Sequence, residues 1–100
     1  MENEEPLRRP DLFVVARILE RLRRNGAPML KTRLQVAGRV NYDIFSRYLR
    51  WMLDRGLVSL EGSESSEMRV SLTSKGLEAY EHLAAWLDRF VRDMRGARPR

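Results

Sequence analysis

Arg47 and Arg50 stand three residues apart, with Ser46 beside them, in the stretch NYDIFSRYLRWMLDRGL at residues 41–57. Three residues is close to one turn of an α-helix, so the two guanidinium groups and the hydroxyl fall on one side of it. A guanidinium is a planar fork of donors that matches phosphate oxygens or the edge of guanine in pairs. The chemistry offered is recognition of an anionic, hydrogen-bonding surface such as duplex DNA. A plainer reading uses the same residues: Asp43–Arg47 and Arg50–Asp54 are i, i+4 pairs, each contributing only ~0.2–0.5 kcal/mol to a solvated helix face. Spacing alone does not separate the two. Position favours recognition, because residues 30–60 hold six basic side chains (Lys31, Arg33, Arg39, Arg47, Arg50, Arg55) against Asp43 and Asp54. Within that basic third, Lys31, Arg33 and Arg39 are candidate phosphate contacts flanking the reading helix, although each fits an ordinary surface charge as well. Phosphate contacts set position and carry little sequence information.

Other chemistries find little support. The chain has no cysteine and a single histidine, His82, so disulfides, thiolate zinc sites and cysteine nucleophiles are excluded. His82 falls on the polar side of its predicted helix, where a solvated imidazole is the simplest reading. We expect no enzymatic activity, no metal and no cofactor. The net charge of +5 and a pI near 10.4 favour an anionic partner. Only Lys31 and Lys75 are lysines; the arginine bias suits phosphate and guanine, and a GC-rich or thermophilic host would produce it too. The longest apolar run, Leu12–Ala16, is too short to cross a membrane. No secretory leader opens the sequence. The expected location is the cytoplasm, at the nucleoid, with no membrane partner.

The elements that position these residues follow from periodicity. Residues 1–10 have none and read as a flexible N-terminal arm. A first helix is predicted from Asp11 to Asn25, with Val15, Ile18, Leu19 and Leu22 inward and Arg17, Arg21 and Arg24 as a solvated ridge. Gly26 and Pro28 stop it. A second helix, Leu30 to Ala37, ends at Gly38, and Gly38-Arg39-Val40 forms a turn. Asn41 caps a third helix over 42–55. Its Phe45, Tyr48, Leu49, Met52 and Leu53 recur at i, i+3, i+4, i+7 and i+8 as a core stripe. Tyr42 and Trp51 read as packing residues, and Gly56 as the left-handed stop. LVSL (57–60) and the alternating MRVSL (68–72) form a hairpin around the acidic loop EGSESSE, with Glu61, Glu64 and Glu67. A last helix runs from Thr73 to about Arg95 on a heptad-like seam of Leu77, Tyr80, Ala84, Leu87, Val91 and Met94. With Leu83, Trp86 and Phe90 its apolar arc spans roughly 160°, against the usual ~100° of a surface helix. An arc that wide needs two partners, so Trp86, Leu87, Phe90, Val91 and Met94 are expected to meet a second copy of the chain. Residues 96–100 read as a flexible basic tail.

This order predicts a mainly α fold with a two-stranded β-hairpin: a winged helix-turn-helix over 11–76, followed by a long C-terminal dimerisation helix over 77–95. The stretches KTRLQVAGRVNYDIFSRYLRWMLDRGLV and VSLTSKGLEAYEHL resemble archaeal winged-helix DNA-binding proteins of the 10a chromatin-protein type, and related predicted archaeal transcriptional regulators. The likeness covers about residues 11–90, and its most specific step is L-T-x-K-G at the start of the last helix. It implies double-stranded DNA binding through helix 42–55, and a homodimer formed by the C-terminal helices as an antiparallel coiled coil. The acidic wing departs from that pattern. The leading expectation is a dimeric DNA-binding protein, a transcriptional regulator or nucleoid-associated protein. The alternative is a winged-helix protein-interaction module docking through its acidic wing. A small-molecule-sensing regulator is a third reading, for which the sequence shows no pocket.

Overall fold

The computed structural model describes residues 7–62 and 67–96. Helix α1, Leu12–Asn25, begins after Asp11, whose side chain accepts the Phe13 N–H at 2.9 Å. Asp11 is therefore the cap of this helix and not its first residue. Gly26 ends α1 in the left-handed conformation and returns its N–H to the Leu22 carbonyl at 3.2 Å. One face of α1 buries Val14, Val15, Ile18, Leu19 and Leu22. Residues 1–6 of the expected arm lie outside the described residues, while Leu7 is half-buried against the core.

The expected two-stranded hairpin is present, and a short third strand extends it into a three-stranded sheet. Strand β1, Met29–Leu30, precedes helix α2, Lys31–Gly38; helix α3, Tyr42–Asp54, is followed by β2, Val58–Glu61, and β3, Arg69–Leu72. The order is β1-β3-β2, all antiparallel, with Met29 opposite Val70 and Val58 opposite Leu72. Leu30 is thus the end of a strand and not the start of α2. Pairing with Val70 and Arg69 defines the strand, and two residues are too few to show the alternation by which strands are recognised. Gly38 stays within α2, and Arg39 takes the left-handed turn position at φ 61°.

Phe45, Ile18, Leu19, Leu34, Met52 and Val70 are fully buried and join α1, α2, α3 and the sheet in one core. Polar ties fix the helix ends. The Tyr48 hydroxyl accepts the Asp11 N–H at 2.8 Å, which holds the start of α1 on α3. Arg17, expected on a solvated ridge, is half-buried and donates Nε and Nη2 to the Gly38 carbonyl at 3.2 and 2.9 Å. It thereby satisfies an acceptor at the end of α2. Arg24 instead pairs with Glu20.

Helix α4, Ser74–Gly96, is clamped to the turn after α3. Thr73 is its cap: its Oγ1 accepts the Gly76 N–H at 2.9 Å and lies 2.6 and 2.9 Å from the Gly56 and Leu57 carbonyl oxygens. A Cβ on Gly76 would collide with that Leu57 carbonyl. The L-T-x-K-G step is thus the chemistry of a close helix–backbone approach. Ala79, Tyr80 and Leu83 pack on the core, Arg23 lies 5.4 Å from the Tyr80 ring centroid, and the end of α4 stays exposed.

Candidate nucleic-acid interface

The outer face of α3 presents Asp43, Arg50 and Asp54 exposed, with Ser46 and Arg47 half-buried beside them. Asn41 starts the helix by accepting the Ile44 N–H at 2.8 Å. Among the described residues, neither Asp43 with Arg47 nor Arg50 with Asp54 closes an ion pair; Arg24–Glu20 and Arg92–Asp88 do. The guanidinium groups of Arg47 and Arg50 are therefore left without a carboxylate on their own helix.

The start of α2 is drawn to the start of α3 through Lys31, whose Nζ lies 5.7 Å from the centroid of the Tyr42 ring. Tyr42 corrects the expectation of a packing role, because it is 48% exposed beneath this cation. Trp51 does pack on the core, and its ring carries the Arg55 guanidinium at 4.1 Å. Arg55 also donates to the Trp51 carbonyl at 3.2 Å, which fixes it at the C-terminal end of the same helix. Arg39 is exposed in the turn. Arg33 does not join Lys31; it lines a groove on another flank of α2, with Arg21 and Arg69. That groove had no local signal in the sequence, because its arginines come from three separate elements.

On the wing, Glu61 accepts the Ser71 hydroxyl at 2.8 Å and stands opposite Arg69 in the ladder. Glu67 is exposed, and Glu64 lies outside the described residues. At the far end of α4, the Trp86 and Phe90 rings stack with centroids 5.3 Å apart and planes 7° from parallel. Both rings are exposed, as are Val91 and Met94. Leu87 is half-buried. The described residues contain no group of three acidic or histidine side chains able to hold a metal. No helix among them is long and apolar enough to cross a membrane.

Three helices, a tight turn before α3 and a hairpin after it are the parts of one known domain, and the model of the family described as winged helix-turn-helix matches residues 8–89. The chain belongs to the winged helix-turn-helix family. Solved structures of similar fold include Sso10a-2, a DNA-binding protein from Sulfolobus solfataricus. It shares 18% identity and a TM-score of 0.72, over 89% of this chain and 88% of that one. A MarR family transcriptional regulator from Silicibacter pomeroyi shares 27% identity and a TM-score of 0.63, over 84% of this chain and 60% of its own. MepR, which regulates the Staphylococcus aureus multidrug efflux pump MepA, shares 14% identity and a TM-score of 0.69, over 86% and 64%. This winged helix-turn-helix chain thus spans about three fifths of the length of these two regulators and most of Sso10a-2. No curated protein sequence matches it.

Proposed function

We propose that the chain is a homodimeric double-stranded DNA-binding protein, a transcriptional regulator or nucleoid-associated protein of the 10a type, that places α3 in the major groove. The observation that carries this reading is the outer face of α3. Arg47 and Arg50 project there without carboxylate partners among the described residues, on the helix after the tight turn of a winged helix-turn-helix. Ser46, Arg47 and Arg50 reach base edges in this reading, and Lys31, Arg33 and Arg39 contact phosphates on either side. Two relatives in fold are a DNA-binding protein and a transcription regulator by name, which supports the same assignment. The site works by binding, with no bond made or broken.

Dimerisation rests on α4. Trp86, Phe90, Val91 and Met94 are 51, 44, 41 and 57% exposed on one helix end, and soluble monomers seldom leave contiguous apolar patches of this kind open. With Leu87 they form the surface on which a second copy packs, and two α3 helices then face one duplex.

Fluorescence anisotropy on random-sequence duplex, repeated over a salt series, tests the reading. DNA binding predicts log affinity falling with log salt at ~0.9 per phosphate neutralised. A protein that binds no duplex at low salt, or binds with no such slope, is the interaction module instead.

A further inference from the structure

The groove on the flank of α2 measures about 770 Å³ and is lined by Arg21 of α1, Arg33 of α2 and Arg69 of β3. No carboxylate side chain stands among its described lining residues. Three arginines from three elements line one groove that no described carboxylate lines, which makes it an electropositive concavity; the nearest acid in the ladder, Glu61 opposite Arg69, is engaged by the Ser71 hydroxyl. The other arginines of α1 are accounted for: Arg17 donates to Gly38, Arg23 lies over Tyr80 and Arg24 pairs with Glu20. Arg21 is the exception. Its Nε is shut off from solvent without a hydrogen-bond partner, a condition that native structures rarely leave unanswered.

The start of α2 adds to the same field. Leu30 supplies no side-chain cap, and the first turn holds no acidic residue. The Lys31 N–H is taken by the Met68 carbonyl at 3.0 Å, but Thr32 and Arg33 of that turn line the groove, where the positive end of a helix favours an anion. Beside the cations the lining turns apolar, with Ala37 and with Val36, which is 71% exposed. A small inorganic anion would leave that apolar strip uncovered. A phosphodiester does not, because each of its phosphates is flanked by deoxyribose carbons.

We propose that this groove holds a phosphodiester of the DNA backbone, with Arg21, Arg33 and Arg69 donating to its non-bridging oxygens and a deoxyribose lying on Val36 and Ala37. The proposal rests on the DNA-binding reading and extends it to two residues, Arg21 and Arg69, outside the α3 face. Lys31 meets Tyr42, and the Gln35 side chain donates to the Val40 carbonyl in the turn, so those α2 positions face α3. Thr32, Arg33 and Val36 face the groove. The backbone contact would then straddle α2, with one track on the α3 side and one on the α1 side.

The test uses the full chain and duplex anisotropy over a salt series, comparing Arg21→Gln, Arg33→Gln and Arg69→Gln with Arg24→Gln. Arg24 lies on the same helix and carries the same charge, but it does not line the groove. Each groove variant is expected to lower the salt slope by about 1 and to weaken specific and random duplexes alike. Arg24→Gln should change the slope by much less. Circular dichroism checks the fold, and if Arg21→Gln proves unstable, the exposed strand position Arg69 carries the test alone. In a parallel arm, nitrogen-15 spectra follow the Arg21 Nε–Hε signal during addition of a dithymidine phosphodiester or of inorganic phosphate. A shift with the phosphodiester, together with the lowered slopes, supports the proposal. Groove variants that match Arg24→Gln, in a parent that still binds duplex with a salt slope, overturn it while leaving the α3 reading standing. A shift with inorganic phosphate alone makes this a free-anion site and also overturns it. If the parent shows no salt-dependent duplex binding, the DNA-binding reading fails and the proposal falls with it.

Discussion

Gly76 shows how one missing methyl group governs a joint. Alanine is the better helix former by ~1 kcal/mol, so Gly76→Ala ought to strengthen α4 if propensity decided the outcome. Its Cβ, however, would sit on the Leu57 carbonyl, which is backbone and cannot turn aside. Forcing it in costs ~1–3 kcal/mol by the usual scale of overpacking, so urea unfolding should show a net loss of stability. A raised midpoint would mean that the turn after α3 moves freely. At the proposed reading face the effect should be on binding and not on folding. Arg47→Ala with Arg50→Ala is expected to weaken duplex binding, with each lost bidentate base contact costing ~1–3 kcal/mol of discrimination. Circular dichroism should be unchanged, because neither residue belongs to the core. Equal affinity in the folded double variant would remove α3 as the reading element.

Elements with a strong period were legible in the sequence, and those held by long-range partners were not. The α3 stripe of Phe45, Tyr48, Leu49 and Met52 is buried in the structure, because a 3.6-residue repeat leaves a helix one face to bury. Strand β1 escaped notice because Met29 and Leu30 are defined by β3, some forty residues away in the chain. Arg17 escaped for a similar reason, since its acceptor is the Gly38 carbonyl and no side-chain pattern announces a backbone partner. The basic candidates on α3 were legible as a face, whereas the Arg21–Arg33–Arg69 groove required the tertiary fold to bring its walls together. The wing carries its own prediction. Glu61 is engaged with Ser71, and the acidic loop would repel phosphates, so Glu61→Gln, Glu64→Gln and Glu67→Gln together should leave duplex affinity equal or tighter. Loss of binding in that triple variant, measured by anisotropy at fixed salt, would show that the acidic loop makes a favourable contact.

For the whole molecule, α4 is a brace and, in the proposed dimer, an interface as well. Its first turns belong to the core through Ala79, Tyr80 and Leu83, while its other end carries the stacked Trp86 and Phe90. Val91→Lys with Met94→Lys is expected to give a folded monomer by sedimentation velocity, with duplex affinity reduced because two reading helices no longer act together. An unmodified protein that sediments as a monomer at tens of micromolar would refute the dimer. The clamp at the other end of α4 has a mechanical consequence. Thr73 and Gly76 lock the start of α4 to the turn that closes α3, so the two helices turn as one body. A helix of 23 residues is about 35 Å long at 1.5 Å per residue. In a pair joined at the far ends, a tilt of about 5° between the two α4 axes would swing one clamped end, and α3 with it, by about 3 Å relative to the other helix. That is close to the 3.4 Å rise of one base-pair step, so the angle at which two copies cross would act as the ruler for the spacing of the half-sites they read.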